Sequence, residues 1–135
     1  MGLSLVAAAA IVGVAVLISI EVIVGTTIPT ITDMHESYDD MKDRSIEQIQ
    51  TDITITDAAW AAPNMVISMD NTGTETVNTS YCNILFNGAS KQFTSPVSYA
   101  YPEQTALFIV AERANPGDII KIITPNGVSD YYTVV

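Results

Sequence analysis

Few side chains in this sequence are of a type that does chemistry. One cysteine, Cys82, and one histidine, His35, stand among 15 Asp+Glu and five Lys+Arg in 135 residues. A lone cysteine closes off both a disulfide framework and a thiolate zinc site. His35 lies among acids and reads as a solvated side chain, not a metal ligand. Asp70-Asn71-Thr72-Gly73 resembles half of a calcium loop, but the later bidentate glutamate is missing, so it reads as a turn. The sequence holds no Gly-rich phosphate loop, no nucleophile elbow and no His/Cys/carboxylate cluster at ligand spacing. It therefore implies no enzyme, no metal and no cofactor. Two other features remain. Asn78-Thr79-Ser80 is an acceptor triplet for N-glycosylation. Tyr131 and Tyr132 are adjacent in a strand-like run, so one faces a core and the other is offered to a partner. Trp60, the only tryptophan, is expected to cap the edge of that core.

The elements that carry these residues follow from a conflict in composition. The chain is 48% hydrophobic and has a mean hydropathy of +0.31, yet its net charge is −10. The two properties are kept apart in sequence. Residues 3–28 contain a single charge, Glu21, and the other fourteen acids and all five bases follow it. Acidity of this size argues against nucleic acid, whose phosphates need Lys and Arg, and against an anionic membrane surface.

Twenty-six apolar residues at helical rise make roughly 39 Å, more than the roughly 30 Å of bilayer hydrocarbon. The run is too long for a signal peptide and lacks its basic start, and Val6 stands where a myristoylation signal needs Ser or Thr. Residues 1–28 are thus expected to form an uncleaved transmembrane helix. Only Lys42 and Arg44 follow it closely among many acids, which places the remainder outside the cytoplasm. Ala7, Ala8, Ala10 and Gly13 offer a small-residue surface for lipid or a neighbouring helix. Glu21 either reaches the outer headgroups or lies deeper against a partner helix.

Residues 29–50 are expected to form an acidic, amphipathic stalk helix. Pro29 predicts a kink, with Thr32 or Asp33 capping a restarted helix. Ile31, Met34, Tyr38 and Met41 are spaced 3-4-3, a narrow apolar stripe suited to self-association, to a partner, or to packing on the following domain.

From residue 51 the pattern changes to period two. Strands are expected over 51–57, 65–70, 76–86, 91–94, 106–111, 118–123 and 128–134. Between them stand turn signals, among them Ala62-Pro63-Asn64, Asn87-Gly88, Asn115-Pro116-Gly117 and Pro125-Asn126-Gly127. Seven short strands without helical periodicity predict a small all-β, immunoglobulin-like sandwich over 51–135.

This order of parts is familiar. A Met-Gly-Leu-Ser start followed at once by an alanine- and isoleucine-rich helix, an acidic stalk and a small sandwich resembles the archaeal archaellum accessory protein F (FlaF/ArlF) family. The stretch MVISMDNTG, residues 65–73, and NPGDIIKIITPNGVSDYY, residues 115–132, are similar to that family's opening and closing strands. The resemblance implies a membrane-anchored, non-enzymatic, stator-type part of the archaellum, whose outer domain binds the cell-surface (S-layer) lattice. It also implies a homo-oligomer and a protein G-like partner. The same plan describes archaeal type IV pilins and archaellins, in which the N-terminal helices pack into a filament core. A prepilin carries a basic residue before its processing glycine and often Glu at the fifth mature position. Here Met1 precedes Gly2 and the fifth residue after it is Ala7, which favours the accessory protein.

Overall fold

The computed structural model describes residues 2–135 of the chain; Met1, the first residue of the expected membrane segment, lies outside them. The chain divides into two compact units, the first ending at Asp43 and the second spanning Arg44–Val135.

The helix α1 covers Gly2–Val22 and α2 covers Ile28–Gln50, whose residues from Arg44 onward belong to the second unit, and a π-helical turn at Ile23–Thr27 links the two helices without a break. The expected restart at Thr32 or Asp33 does not occur. Proline removes a donor and crowds the carbonyl four residues back, and here the backbone absorbs Pro29 by widening one turn. The N–H of Ile28 donates to the Ile23 carbonyl, five residues back, as in π-bulges inside α-helices. Threonine hydroxyls line the widened turn and bond carbonyls four residues earlier, Thr26 to Val22 at 2.6 Å and Thr30 to Thr26 at 2.7 Å. No residue of α1 or α2 is buried.

The second unit is the sandwich. Its strands are β1 (Ile53–Ala61), β2 (Asn64–Asn71), β3 (Val77–Asn78), β4 (Asn83–Phe86), β5 (Ala89–Lys91), β6 (Phe93–Thr94), β7 (Tyr99–Ala100), β8 (Thr105–Val110), β9 (Ile119–Ile123) and β10 (Ser129–Thr133). They form antiparallel sheets in the orders β1-β2-β8-β6 and β10-β9-β4-β5, with β3 and β7 as a small third pair. Alternation is clearest on β2, where Met65, Ile67, Met69 and Asn71 are buried and their neighbours half-exposed. Phe108 of β8 and Ile84, Ile120 and Ile122 of the facing sheet complete the centre. Phe93 meets Phe108 edge-on, with ring centroids 5.2 Å apart.

Three expected strands differ from what forms. The run 76–86 is broken by a 3-10 turn at Thr79–Tyr81, because Asn78 caps it by accepting the Ser80 N–H at 3.1 Å. Side-chain bonds of this kind compete with a sheet ladder. β1 runs on to Ala61, past a bulge between Ile55 and Asp57 that restores pairing with β2. Residues 91–94 divide between β5 and β6, which belong to opposite sheets. The Asn87-Gly88 turn forms as its residue types demand, with φ of 49° and 83°, the double positive φ of a type I′ hairpin turn.

Candidate interaction surfaces

α1 sets the first surface. Leu5, Ile11 and Leu17 are 75%, 71% and 66% exposed, and the remaining large apolar residues of α1 are similarly open. Burying one such side chain is worth about 1.5–3 kcal/mol. The eleven of them on α1 left in water would exceed the whole stability of an ordinary domain, about 5–15 kcal/mol, so this surface requires a cover. The helix is long and apolar enough to cross a membrane, and none of its apolar window is buried within the chain. Ala7, Ala8, Ala10 and Gly13 are exposed, and nothing lies within 4 Å of a Cβ added at Gly13. Glu21 stands two residues before the π turn, also exposed.

On α2 the stripe residues Ile31, Met34, Tyr38 and Met41 are 61%, 68%, 60% and 60% exposed. Thr30, Asp33, Met34, Ser37, Tyr38 and Met41 border a shallow groove of about 460 Å³. His35 contacts Asp39 at 3.6 Å, both exposed.

The last turn of α2 is locked onto the sandwich inside the second unit. Gln48 donates to the Asn126 carbonyl at 2.7 Å, and the Asn126 amide donates to the Thr51 hydroxyl at 2.9 Å. The loop after β2 closes the other side. The N–H groups of Thr72 and Gly73 both reach the Asp52 carbonyl at 3.0 Å, and those of Thr74 and Glu75 reach that of Gln50 at 2.8 and 3.2 Å. A Cβ on Gly73 would strike the backbone N of Asp52 and O of Gln50; glycine is there because two backbones touch. Asn71, fully buried, holds the loop by donating to the carbonyls of Glu75 and Ala100 at 2.8 and 2.9 Å while accepting from Gly73 at 3.1 Å. Thus Asn71-Thr72-Gly73 is a structural clamp whose polar atoms are used internally. Sequence reasoning found the turn but missed the clamp. Its only sequence signal was an Asn two residues before a Gly.

Tyr132 is half-buried against the core and Tyr131 is 61% exposed. The Lys121 ammonium sits 4.6 Å from the Tyr131 ring centre. Asn78 is half-buried, with its side-chain oxygen engaged as the cap of the 3-10 turn. Trp60 does not cap the core. It is 45% exposed beside the β1–β2 turn, opposite Met65.

One polar cleft of about 370 Å³ is lined by Ser80, Cys82, Ser90, Lys91 and their neighbours. Burial pushes the Cys82 thiol up to about 11, and the reactive form of cysteine is the thiolate. Lys91 is paired with Glu112 at 2.8 Å. The cleft thus lacks an activated nucleophile. Among the described residues, no three His, Cys, Asp or Glu side chains are grouped to hold a metal.

No family model matches the chain, and no curated protein matches it in sequence. Among solved structures, it is similar to the archaellum periplasmic stator protein FlaG from Sulfolobus acidocaldarius. The identity is 21% and the TM-score 0.51, over 61% of this chain and 97% of that one. The archaellum periplasmic stator protein complex FlaF and FlaG from the same organism matches at 20% identity and a TM-score of 0.49, over 59% of this chain and 85% of that one. The likeness is one of fold.

Proposed function

We propose that this chain is a membrane-anchored, non-enzymatic accessory component of the archaellum, of stator type, whose sandwich binds the cell-surface lattice outside the membrane. The observation that carries the proposal is the joining of two features in one chain: a fully exposed apolar helix and a sandwich sharing the fold of the periplasmic stator protein FlaG. The F-type resemblance of the sequence supports the same apparatus, with a G-like protein as partner.

Each part has a physical task. α1 spans the hydrocarbon, where its main-chain groups are satisfied within the helix. α2 carries its acids in the water above. The sandwich presents Tyr131 and Trp60 to the outside. Resisting load needs contacts and a rigid connection and requires no turnover. The clamp of Asn71, Gly73 and Gln48 supplies that connection between the helix end and the sheets.

The compact unit Arg44–Val135, made alone, tests this reading. It should be soluble and should retain surface-layer protein in a pull-down that denatured unit does not. Absence of retention in every buffer would remove the lattice-binding role. The filament reading draws on the same exposed α1, with helices packed against copies of themselves and Glu21 paired across the bundle. Micrometre-long, lipid-free polymers of the full chain under the electron microscope would establish that alternative.

A further inference from the structure

Asn78-Thr79-Ser80 is the one Asn-X-Ser/Thr triplet in the sequence in which X is not proline, and the fold uses its three side chains differently. Thr79 is fully buried, and its hydroxyl donates to the Val97 carbonyl. Ser80 is exposed, and its hydroxyl bonds no protein group among the described residues. Asn78 stands between these extremes. Its Oδ1 accepts the Ser80 N–H at 3.1 Å. Its Nδ2 bonds no protein group among the described residues, and it is not sealed from solvent. Attaching a sugar removes one hydrogen from Nδ2 and leaves Oδ1 an amide oxygen, so the cap of the 3-10 turn survives the modification.

The neighbouring strand supplies a bed for that sugar. β3 pairs with β7 in the register Val77 to Ala100 and Asn78 to Tyr99. Val77 and Ala100 are buried, so the second pair lies on the outer face, its Cβ atoms about 4.5–5.5 Å apart. Tyr99 is 51% exposed. Its ring offers a negative face to which the C–H groups of a sugar are attracted. We propose that Asn78 is the attachment point of an N-linked oligosaccharide whose first sugar lies against the Tyr99 ring. This rests on the reading above that the sandwich lies outside the membrane, the side on which Asn-X-Ser/Thr triplets of exported domains are modified. The donor is an oligosaccharide linked through phosphate to a polyprenol. In the transfer Nδ2 bonds to C1 of the first sugar as the C1–O bond to the lipid phosphate breaks. Nδ2 gives up one proton, the polyprenol phosphate leaves, and nothing is oxidised or reduced.

The test is mass spectrometry of the full chain made in an archaeal host that modifies such triplets, with a second Asn-Thr-Ser appended after Val135 as a reporter. Digestion after Lys and Arg places Asn78 in the peptide 45–91, which should carry the added mass of a whole oligosaccharide. Asn78→Asp keeps an oxygen for the Ser80 N–H and should lose that mass completely while staying folded. Ser80→Ala should lose it too, and Ser80→Thr should keep it. Tyr99 should be nitrated several-fold more slowly in the modified chain than in Asn78→Asp, with Tyr131 nitrated equally in both. An unmodified 45–91 peptide beside a modified reporter would overturn the inference and leave the outward placement of the sandwich standing. Neither triplet modified would overturn both. Added mass that persists in Asn78→Asp would overturn the assignment to Asn78, and equal nitration of Tyr99 would remove the sugar from its ring.

Discussion

Phe108, Ile67 and Ile122 are enclosed completely within the sandwich, whereas Leu5, Ile11 and Leu17, of similar size and apolarity, stand 75%, 71% and 66% exposed along α1. The same residue types are thus used in two ways. Strands bury theirs against a facing sheet made by the chain itself, at a period of two. α1 is apolar all round, so no single face could be satisfied by packing on one neighbour; such helices are covered on every side. The second unit carries its own solvent exclusion, and the first depends on one supplied from outside. Mutations should therefore divide cleanly: changes in the sandwich alter folding stability, and changes in α1 alter where the protein resides.

Phe108→Ala should produce the largest effect, a loss of about 3–5 kcal/mol, read by chemical denaturation of the full chain in mild detergent. Val12→Arg should leave that denaturation midpoint unchanged yet weaken membrane insertion, at a cost of about 2.5–3.5 kcal/mol near the helix centre, read by the share of chain recovered with membranes. If Val12→Arg shifted the midpoint as Phe108→Ala does, the division between units would be wrong. Gly73→Ala tests the clamp, where the added methyl meets backbone on two sides. It should cost about 1–3 kcal/mol as an overpacking change and speed hydrogen exchange of the Thr72 to Glu75 amides.

A smaller effect follows from Cys82, whose thiol is raised from an ordinary 9.0 to about 11 by burial. Above pH 9 the unfolded thiol loses its proton while the folded one keeps it. The unfolded state then binds fewer protons, so stability is complete below pH 9 and falls as pH rises toward 11. Cys82→Ala should remove this part of the alkaline decline, and the native thiol should react slowly with a disulfide reagent at pH 8 unless the domain is unfolded. Tyr131→Ala should do least. Its contact with Lys121 is exposed, and such pairs are worth about 0.5–1 kcal/mol, read as a small midpoint shift that lattice binding would exceed if Tyr131 is a contact residue.

Much of this architecture was legible in the residues. Strong periodicities revealed it: the uncharged run up to Glu21, the alternation through Met65, Ile67 and Met69, and Asn87-Gly88, whose chemistry permits one turn type. Local devices that depend on distant partners were hidden. The π turn that absorbs Pro29 arises from the freedom of a backbone to widen, which no residue type announces. Asn71 looked like a surface turn residue because nothing near it in sequence shows the carbonyl of Ala100 that it binds. Trp60 was misjudged because burial at the end of an edge strand depends on how far the facing sheet extends. The 3-4-3 stripe of α2 was readable, but not that the helix carrying it runs unbroken from Ile28 to Gln50. Which of Tyr131 and Tyr132 faces the core was not legible, since alternation fixes only that the two point to opposite faces.

The central claim is that the apolar helix belongs in lipid and the sandwich outside it, and membrane partition of the two forms of the protein tests it most directly. The full chain should sediment with membranes and resist extraction at high pH, while the Arg44–Val135 unit alone stays in the soluble fraction and keeps its fold. A full chain that leaves the membrane on alkaline extraction, or sediments only as lipid-free filaments, would contradict the account.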